Sequence, residues 1–298
     1  MHQRTVPLAP PVDVAATVTD LRRGAADPSL RLGGDGIWRA TRLPSGAATV
    51  HLVPHADRVE ARAWGDGAEE ALEWLPDLVG LADDVTDFAP EHPLIRRIWH
   101  DHPGLRLTRS NGVTEAIIAS VLEQRVTTFE ARRALRQLVE RFGEDAPGPG
   151  GLRLLPDPEL LAGVPYYDLH VIGVERHRAD TLRRVAVNAR ALDGLRHETW
   201  AEARRRLLEV PGIGPWTAAE VARRALADPD AVPLGDVHLP ADVTYALTGE
   251  TVDDDDAMLA ALEPFTGHRA RVLRLLAVAG VRAPRRAPRY APRDIRRD

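Results

Sequence analysis

Hydrophobic and polar positions change their spacing about a quarter of the way along this chain. In Arg58–Trp64, Val59, Ala61 and Ala63 fall on one side and Arg58, Glu60 and Arg62 on the other, the period of a half-buried strand. Gly36–Arg42 alternates in the same way. Leu43-Pro44-Ser45-Gly46 then has Pro and Gly where a type I turn takes them, ahead of a strand at Thr49–Val53. Ala68, Leu72 and Leu75 recur at helical spacing. The pattern predicts a small α+β domain over residues 1–88, with no cluster of chemistry-bearing side chains in it.

From Phe88 onward the period is helical. Leu94, Ile95, Ile98 and Trp99 mark one amphipathic helix, and Ile117, Ile118, Val121 and Leu122 mark another. Thr127-x-x-Glu130 is a capping box, so a new helix starts there and runs through Ala134 and Leu138 to Gly143. Gln124, Arg125 and Val126 are left at a helix–helix junction, free to project from the core. Ala146–Gly151 is a proline- and glycine-rich loop, and Thr199-x-x-Glu202 opens another helix. The fold class expected is mainly α: an all-helical module over 89–281, preceded by the α+β domain and followed by an extended basic tail over 282–298.

Charge and composition narrow the chemistry. The net charge is −5 over 298 residues, but residues 1–90 hold 8 Arg against 14 Asp and Glu, so the remainder is close to neutral. An anionic partner is therefore not excluded if it touches only the second part. Cysteine is absent, which removes disulfides, zinc–thiolate sites and cysteine-held iron–sulfur clusters. All 39 basic residues are Arg, so a lysine Schiff base and a Walker phosphate loop are excluded too. No run reaches the roughly eighteen apolar residues of a membrane span, and the first residues carry no leader-like apolar core; a cytoplasmic protein is the expectation.

The most informative stretch is Val210-Pro211-Gly212-Ile213-Gly214-Pro215-Trp216-Thr217-Ala218. A helix ends before Pro211, two glycines allow a tight reversal, and Pro215 suits the first turn of the next helix. The hairpin at 207–218 points backbone N–H groups outward at a positive helix end, which fits a phosphate without side-chain charge. An ordinary helical hairpin with a glycine turn satisfies the same pattern. Asp236 follows Trp216 by twenty residues, just before a helix opened by Pro240. On its own, an Asp there is usually a helix cap.

Hairpin and aspartate together, Leu207…Val210-Pro-Gly-Ile-Gly-Pro-Trp-Thr-Ala and Asp228-Pro-Asp-Ala-Val-Pro-Leu-Gly-Asp236, resemble the helix–hairpin–helix DNA glycosylase superfamily. The nearest branch is the 3-methyladenine DNA glycosylase II type, which removes alkylated bases. The resemblance covers about residues 90–290 and includes Ala116–Arg125 and Gly173–Arg178. It implies Asp236 as the catalytic carboxylate. It also implies double-stranded DNA as the partner, contacted through Gly212, Ile213, Gly214, Thr217 and Arg125, and a base pocket containing Trp216, Gln124, Glu220, His238 and His268. Bifunctional members hold a lysine at the position of Trp216; this chain has no lysine, so a monofunctional enzyme that leaves an intact abasic site is expected.

The implied chemistry is base flipping, stacking on Trp216, and stabilisation by Asp236 of the positive charge that grows on the sugar as the base leaves, with water as the nucleophile. No cofactor is expected beyond a monovalent cation on the hairpin carbonyls, with no metal on side chains, and a monomer working at the nucleoid. Glu220 stands where an aromatic is common in the branch, and Gly267-His268-Arg269 stands where a tryptophan is. Arg125 occupies the place of an apolar wedge, and His238 resembles the Asp-x-His of the endonuclease III branch. Trp216 as a core residue, His238 as an exposed histidine and Glu220 as a surface residue remain open alternatives. So does a non-catalytic DNA-binding module, and so does a glycosylase for a neutral or bulky base.

Overall fold

A computed structural model describes residues 1–9 and 12–284. Of the basic tail expected over 282–298, only Arg282, Ala283 and Pro284 are among them.

Five strands form one antiparallel sheet, β1 (His2–Pro7), β2 (Leu30–Gly33), β3 (Gly36–Leu43), β4 (Gly46–Pro54) and β5 (Arg58–Trp64), in the order β1-β5-β4-β3-β2. The Leu43–Gly46 turn closes the β3–β4 hairpin, with those two residues in register. Alternation in β5 does what it predicts: Val59, Ala61 and Ala63 are buried and Arg62 is exposed. They pack with Leu72, Leu75 and Leu78 of α2 (Ala68–Glu73) and α3 (Leu75–Leu78), and with Val14 and Val18 of α1 (Val14–Thr19). The opposite face of β3 is covered as well. Trp38 and Ala40 pack on Leu152 and Leu154, while Glu115 of α5 (Val113–Glu123) accepts from the Arg42 amide at 2.8 Å and from Thr41 Oγ1 at 2.9 Å.

The rest of the described chain is helical: α4 (Pro93–Asp101), α6 (Thr128–Phe142), α7 (Pro158–Gly163), α8 (Tyr166–Val171), α9 (Arg176–Val187), α10 (Ala189–Asp193), α11 (Trp200–Leu208), α12 (Pro215–Ala225), α13 (Leu239–Thr248), α14 (Asp255–Leu262) and α15 (Arg269–Val278). Two helical cores result. Ile117, Leu138, Leu161, Leu182, Leu207 and Val221 belong to the first, built from α5 to α12. Ile95, Val243, Met258, Leu262 and Leu275 belong to the second, which brings α4 together with α13 to α15. Each fully buried side chain of this kind stabilises the fold by roughly 1.5–3 kcal/mol.

α12 lies between the two cores. Ala218, Val221 and Ala225 face the first, while Ala219 and Ala222 meet Ala231 and Ala270 in a cluster made only of alanines. Methyl-sized side chains let the two halves approach closely there. The chain then turns through 226–238 into α13, so the residues just after the hairpin and those just before α13 face each other across the seam.

Candidate active site

The hairpin joins α11 to α12. Its first helix ends at Leu208, the Ile213 amide closes the turn on the Val210 carbonyl at 2.9 Å, and Pro215 occupies the first turn of α12. The two glycines have different reasons. Gly212 has φ +96°, and a Cβ there would collide with Thr181 Oγ1. Gly214 is in ordinary extended backbone, φ −96° and ψ −178°, with nothing within 4 Å of where a Cβ would stand. The fold does not demand glycine at 214; its effect is a bare backbone surface at the positive end of α12.

Asp236 lies across the seam from Trp216. Trp216 Nε1 donates to Asp236 Oδ2 at 3.0 Å. The other oxygen, Oδ1, accepts from the backbone N–H of His238 and of Leu239, both at 2.9 Å. The carboxylate therefore caps α13 with one oxygen and meets the indole with the other, so it has little freedom to rotate. Both residues are half-buried. A cavity of about 240 Å³ opens beside Asp236, lined by it and by His238, Asp242, Leu273, Leu276 and Arg282 among others. Asp242 is held there by the Ala283 amide at 2.8 Å and by Arg282 at 3.6 Å. Val237, between Asp236 and His238, is an exposed apolar residue.

The other expected pocket residues go to different places. Gln124, half-buried at the end of α5, spends its amide on the hairpin, with Nε2 donating to Gly212 O and to Thr217 Oγ1, both at 2.9 Å. It ties the α5–α6 turn to the hairpin and does not line the cavity beside Asp236. Arg125, next in sequence, is exposed and has φ +52°. For a residue with a side chain that conformation costs about 1–3 kcal/mol. His268 is half-buried against Phe88, ring centroids 5.1 Å apart, with Arg271 Nε 3.4 Å from its Nδ1. Burial and the Arg271 charge hold its pKa below the usual histidine value.

Glu220 requires the largest correction. The sequence reading puts it in the base pocket; the structure buries it in an ion cluster. Arg224 Nη1 donates to its Oε2, and Arg223 lies 3.3 Å from its Oε1. Arg223 also reaches Asp20 at 2.5 Å, and Arg274 meets Asp20 at 3.3 Å. Burial drives both carboxylates up, and the surrounding arginines outweigh it, so both are held below the usual carboxylate range. Glu220 thus pairs within α12 and holds Arg223 and Arg224, which reach Asp20 in the segment after α1; Asp20 also meets Arg274 of α15. Asp20 lies 203 residues from Arg223 in the chain, which local pattern does not reveal.

Three hairpin carbonyls have donors within the chain. Val210 O accepts from the Ile213 amide, Pro211 O from Arg184 Nη1 at 2.6 Å, and Gly212 O from Gln124. Each of these oxygens keeps a second lone pair, so the bonds leave room on the hairpin carbonyls for a monovalent cation. Among the described residues no cluster of His, Asp and Glu has metal-site geometry, and no helix is long and apolar enough to cross a membrane.

A hairpin with a bare helix N-terminus, an indole on its second helix and a pinned carboxylate before α13 thus stand together at the seam. A Mycobacterium tuberculosis protein named "Probable bifunctional transcriptional activator/DNA repair enzyme AlkA" is 31% identical over 218 residues, 69% of this chain and 43% of that protein. A DNA-3-methyladenine glycosylase of Bacillus subtilis is 28% identical over 179 residues, 57% of this chain and 59% of the relative. The chain thus spans less than two thirds of the curated relatives it matches. Among solved structures, a 3-methyladenine DNA glycosylase from Archaeoglobus fulgidus superposes with TM-score 0.75 at 20% identity, over 92% of this chain and 97% of that one. An 8-oxoguanine glycosylase/lyase from Clostridium acetobutylicum gives 0.60 at 15%, over 83% and 95%; at these identities the likeness is one of fold. No family model matches the chain. In sequence the chain is similar to 3-methyladenine-type DNA glycosylases, and in fold to the helix–hairpin–helix DNA glycosylases.

Proposed function

We propose that this chain is a monofunctional DNA N-glycosylase that hydrolyses the bond between deoxyribose and a damaged, alkylated base in double-stranded DNA. The observation that carries the reading is the Trp216–Asp236 hydrogen bond, because it sets a stacking surface for a base beside a carboxylate. The division of labour follows, with residues 1–88 as a supporting α+β domain and 89–281 as the module that holds DNA.

The hairpin supplies the grip. N–H groups at the start of α12, unobstructed at Gly214, bind a backbone phosphate on one side of the lesion. Arg125, held outward by its left-handed backbone, stacks into the gap as the damaged nucleotide leaves the duplex, a step costing roughly a few kcal/mol and least for damaged bases. Trp216 receives the flipped base on its ring face. As the glycosidic bond lengthens, positive charge builds on the sugar, and the Asp236 carboxylate stabilises it electrostatically. Two amides and one indole have already oriented that carboxylate, so little reorganisation accompanies the step. Water then adds to the sugar, the base departs, and an abasic site remains. No lysine is present to form a covalent sugar adduct. His238 and Asp242 make the cavity beside Asp236 more polar than an aromatic cage, which favours bases with hydrogen-bonding edges. The enzyme acts as a monomer at the nucleoid.

The test is release of free base from methylated and deaminated duplexes, read by mass spectrometry, alongside borohydride trapping. Free base with no trapped adduct supports the reading; a trapped protein–DNA adduct overturns the monofunctional mechanism. Tight binding with no base release would favour the second reading, a DNA-binding module in which Asp236 only caps α13. The two amide bonds to Oδ1 are the observation on its side.

A further inference from the structure

One helix touches both turns to which DNA contact is assigned above. Arg178, Thr181 and Arg184 sit three residues apart on α9, hence on one face. Arg178 is 1% exposed and spends its guanidinium on backbone: Nη1 donates to Leu122 O and Nη2 to Gly173 O, each at 3.0 Å. Leu122 is in the last turn of α5, two residues before Gln124 and three before Arg125. Thr181, also buried, lies under Gly212 where a Cβ would be. Arg184 Nη1 donates to Pro211 O at 2.6 Å. The face therefore begins under the Arg125 turn and ends under the hairpin tip, about 9 Å along a rigid helix.

A buried guanidinium is an expensive way to satisfy two carbonyls unless their position matters. Burial pushes the Arg178 pKa down, the mark of a desolvated charge. Gln124 closes the arrangement from the other side by bonding Gly212 O and Thr217 Oγ1. Wedge turn, hairpin and α9 form a closed triangle of hydrogen bonds, and no side of it uses the Asp236 carboxylate.

We propose that α9 is a strut that fixes the distance between the phosphate-gripping hairpin and the Arg125 wedge, with Arg178 and Arg184 as its positioning residues; this rests on the DNA glycosylase reading above. Gripping an intact duplex requires the hairpin alone. Recognising a disrupted one requires hairpin and wedge at a fixed separation. The strut therefore governs discrimination and leaves general affinity largely alone.

The experiment uses the full chain and two duplexes of one sequence, undamaged and carrying a tetrahydrofuran abasic-site analogue. Arg184→Gln keeps a half-buried position filled while removing the guanidinium. Its preference for the abasic duplex should fall about tenfold, the equivalent of one lost charge-assisted hydrogen bond, with undamaged-duplex affinity much less affected. Arg184→Lys, which keeps a cationic donor, should recover most of the preference. Arg178→Met, at the other end, should reproduce the same loss, and Arg184→Gln decides the matter even where Arg178→Met does not fold. Equal weakening on both duplexes would make Arg184 a simple phosphate contact and overturn the strut, as would an unchanged preference. A wild-type chain that does not prefer the abasic duplex would overturn the glycosylase reading and the strut together.

Discussion

Trp216→Phe separates the two jobs given to the indole. It retains a flat ring on the second position of α12 and removes the Nε1 donor, which lies 3.0 Å from Asp236 Oδ2. A hydrogen bond to a charged acceptor contributes about 1.5–3 kcal/mol. Trp216 and Asp236 are half-buried, so the lower end applies, and that corresponds to about tenfold in rate. The loss should fall on kcat, because the bond aligns a group that acts only as the sugar becomes charged. KM should stay near wild type, since the ring face for stacking remains. Trp216→Ala should add a rise in KM, because stacking on an aromatic side chain contributes roughly 1–3 kcal/mol per base. Fold stability should hardly change, as Asp236 keeps both amide bonds to the start of α13. Single-turnover base release on a methylated duplex gives the rate, and its dependence on protein concentration gives the binding term. A Phe variant with wild-type kcat would refute the idea that the indole orients the carboxylate.

Three further outcomes follow from the same geometry. Gly212→Ala should destabilise the chain by about 1–3 kcal/mol, from a left-handed backbone and a collision with Thr181, whereas Gly214→Ala should leave the thermal midpoint unchanged and weaken duplex binding; equal thermal shifts would contradict this. Glu220→Gln breaks a buried ion cluster and should cost about 3–5 kcal/mol by denaturant unfolding, with lesion preference unaltered. Asp20 and Glu220 are depressed carboxylates, so their stabilisation is complete above the ordinary range near pH 4 and is lost as pH falls through their lower folded values. His268 is depressed too, so its neutral form is the one the fold favours. Stability tied to it is full above about pH 6.5 and declines on acidification, and His268→Asn should flatten that part of a melting-temperature profile between pH 7.5 and 5.5.

What could be read from sequence was what local pattern encodes. Alternation located β3 and β5, the Leu43–Gly46 turn placed β4, and Thr127 and Glu130 form the reciprocal cap their spacing announces. Strand β1 escaped because its side chains, His2 to Pro7, are nearly all exposed at the sheet edge and carry no alternation. Helix α1 escaped because Val-Ala-Ala-Thr-Val-Thr is rich in β-branched residues; its signal was Asp13, whose carboxylate accepts from the Ala16 amide. Hairpin and aspartate were legible because glycine, proline and spacing are local. The fates of Glu220 and Gln124 were not: the arginines that pair with Glu220 are drawn inward by Asp20, 203 residues from Arg223, and Gln124 is held by Gly212, 88 residues on. Of Arg178, Thr181 and Arg184, the sequence marks only Arg178, within Gly173–Arg178; their common face acquires meaning once α5 and the hairpin are seen at its two ends.

The most direct test is Asp236→Asn under single-turnover conditions. An asparagine carbonyl can keep the bonds from His238 and Leu239, so the cap and the fold persist while the charge disappears. Base release should fall at least about a hundredfold, with abasic-duplex binding close to wild type. An Asn variant that releases base at the wild-type rate, or one that loses binding in the same proportion as release, would contradict the role assigned to Asp236.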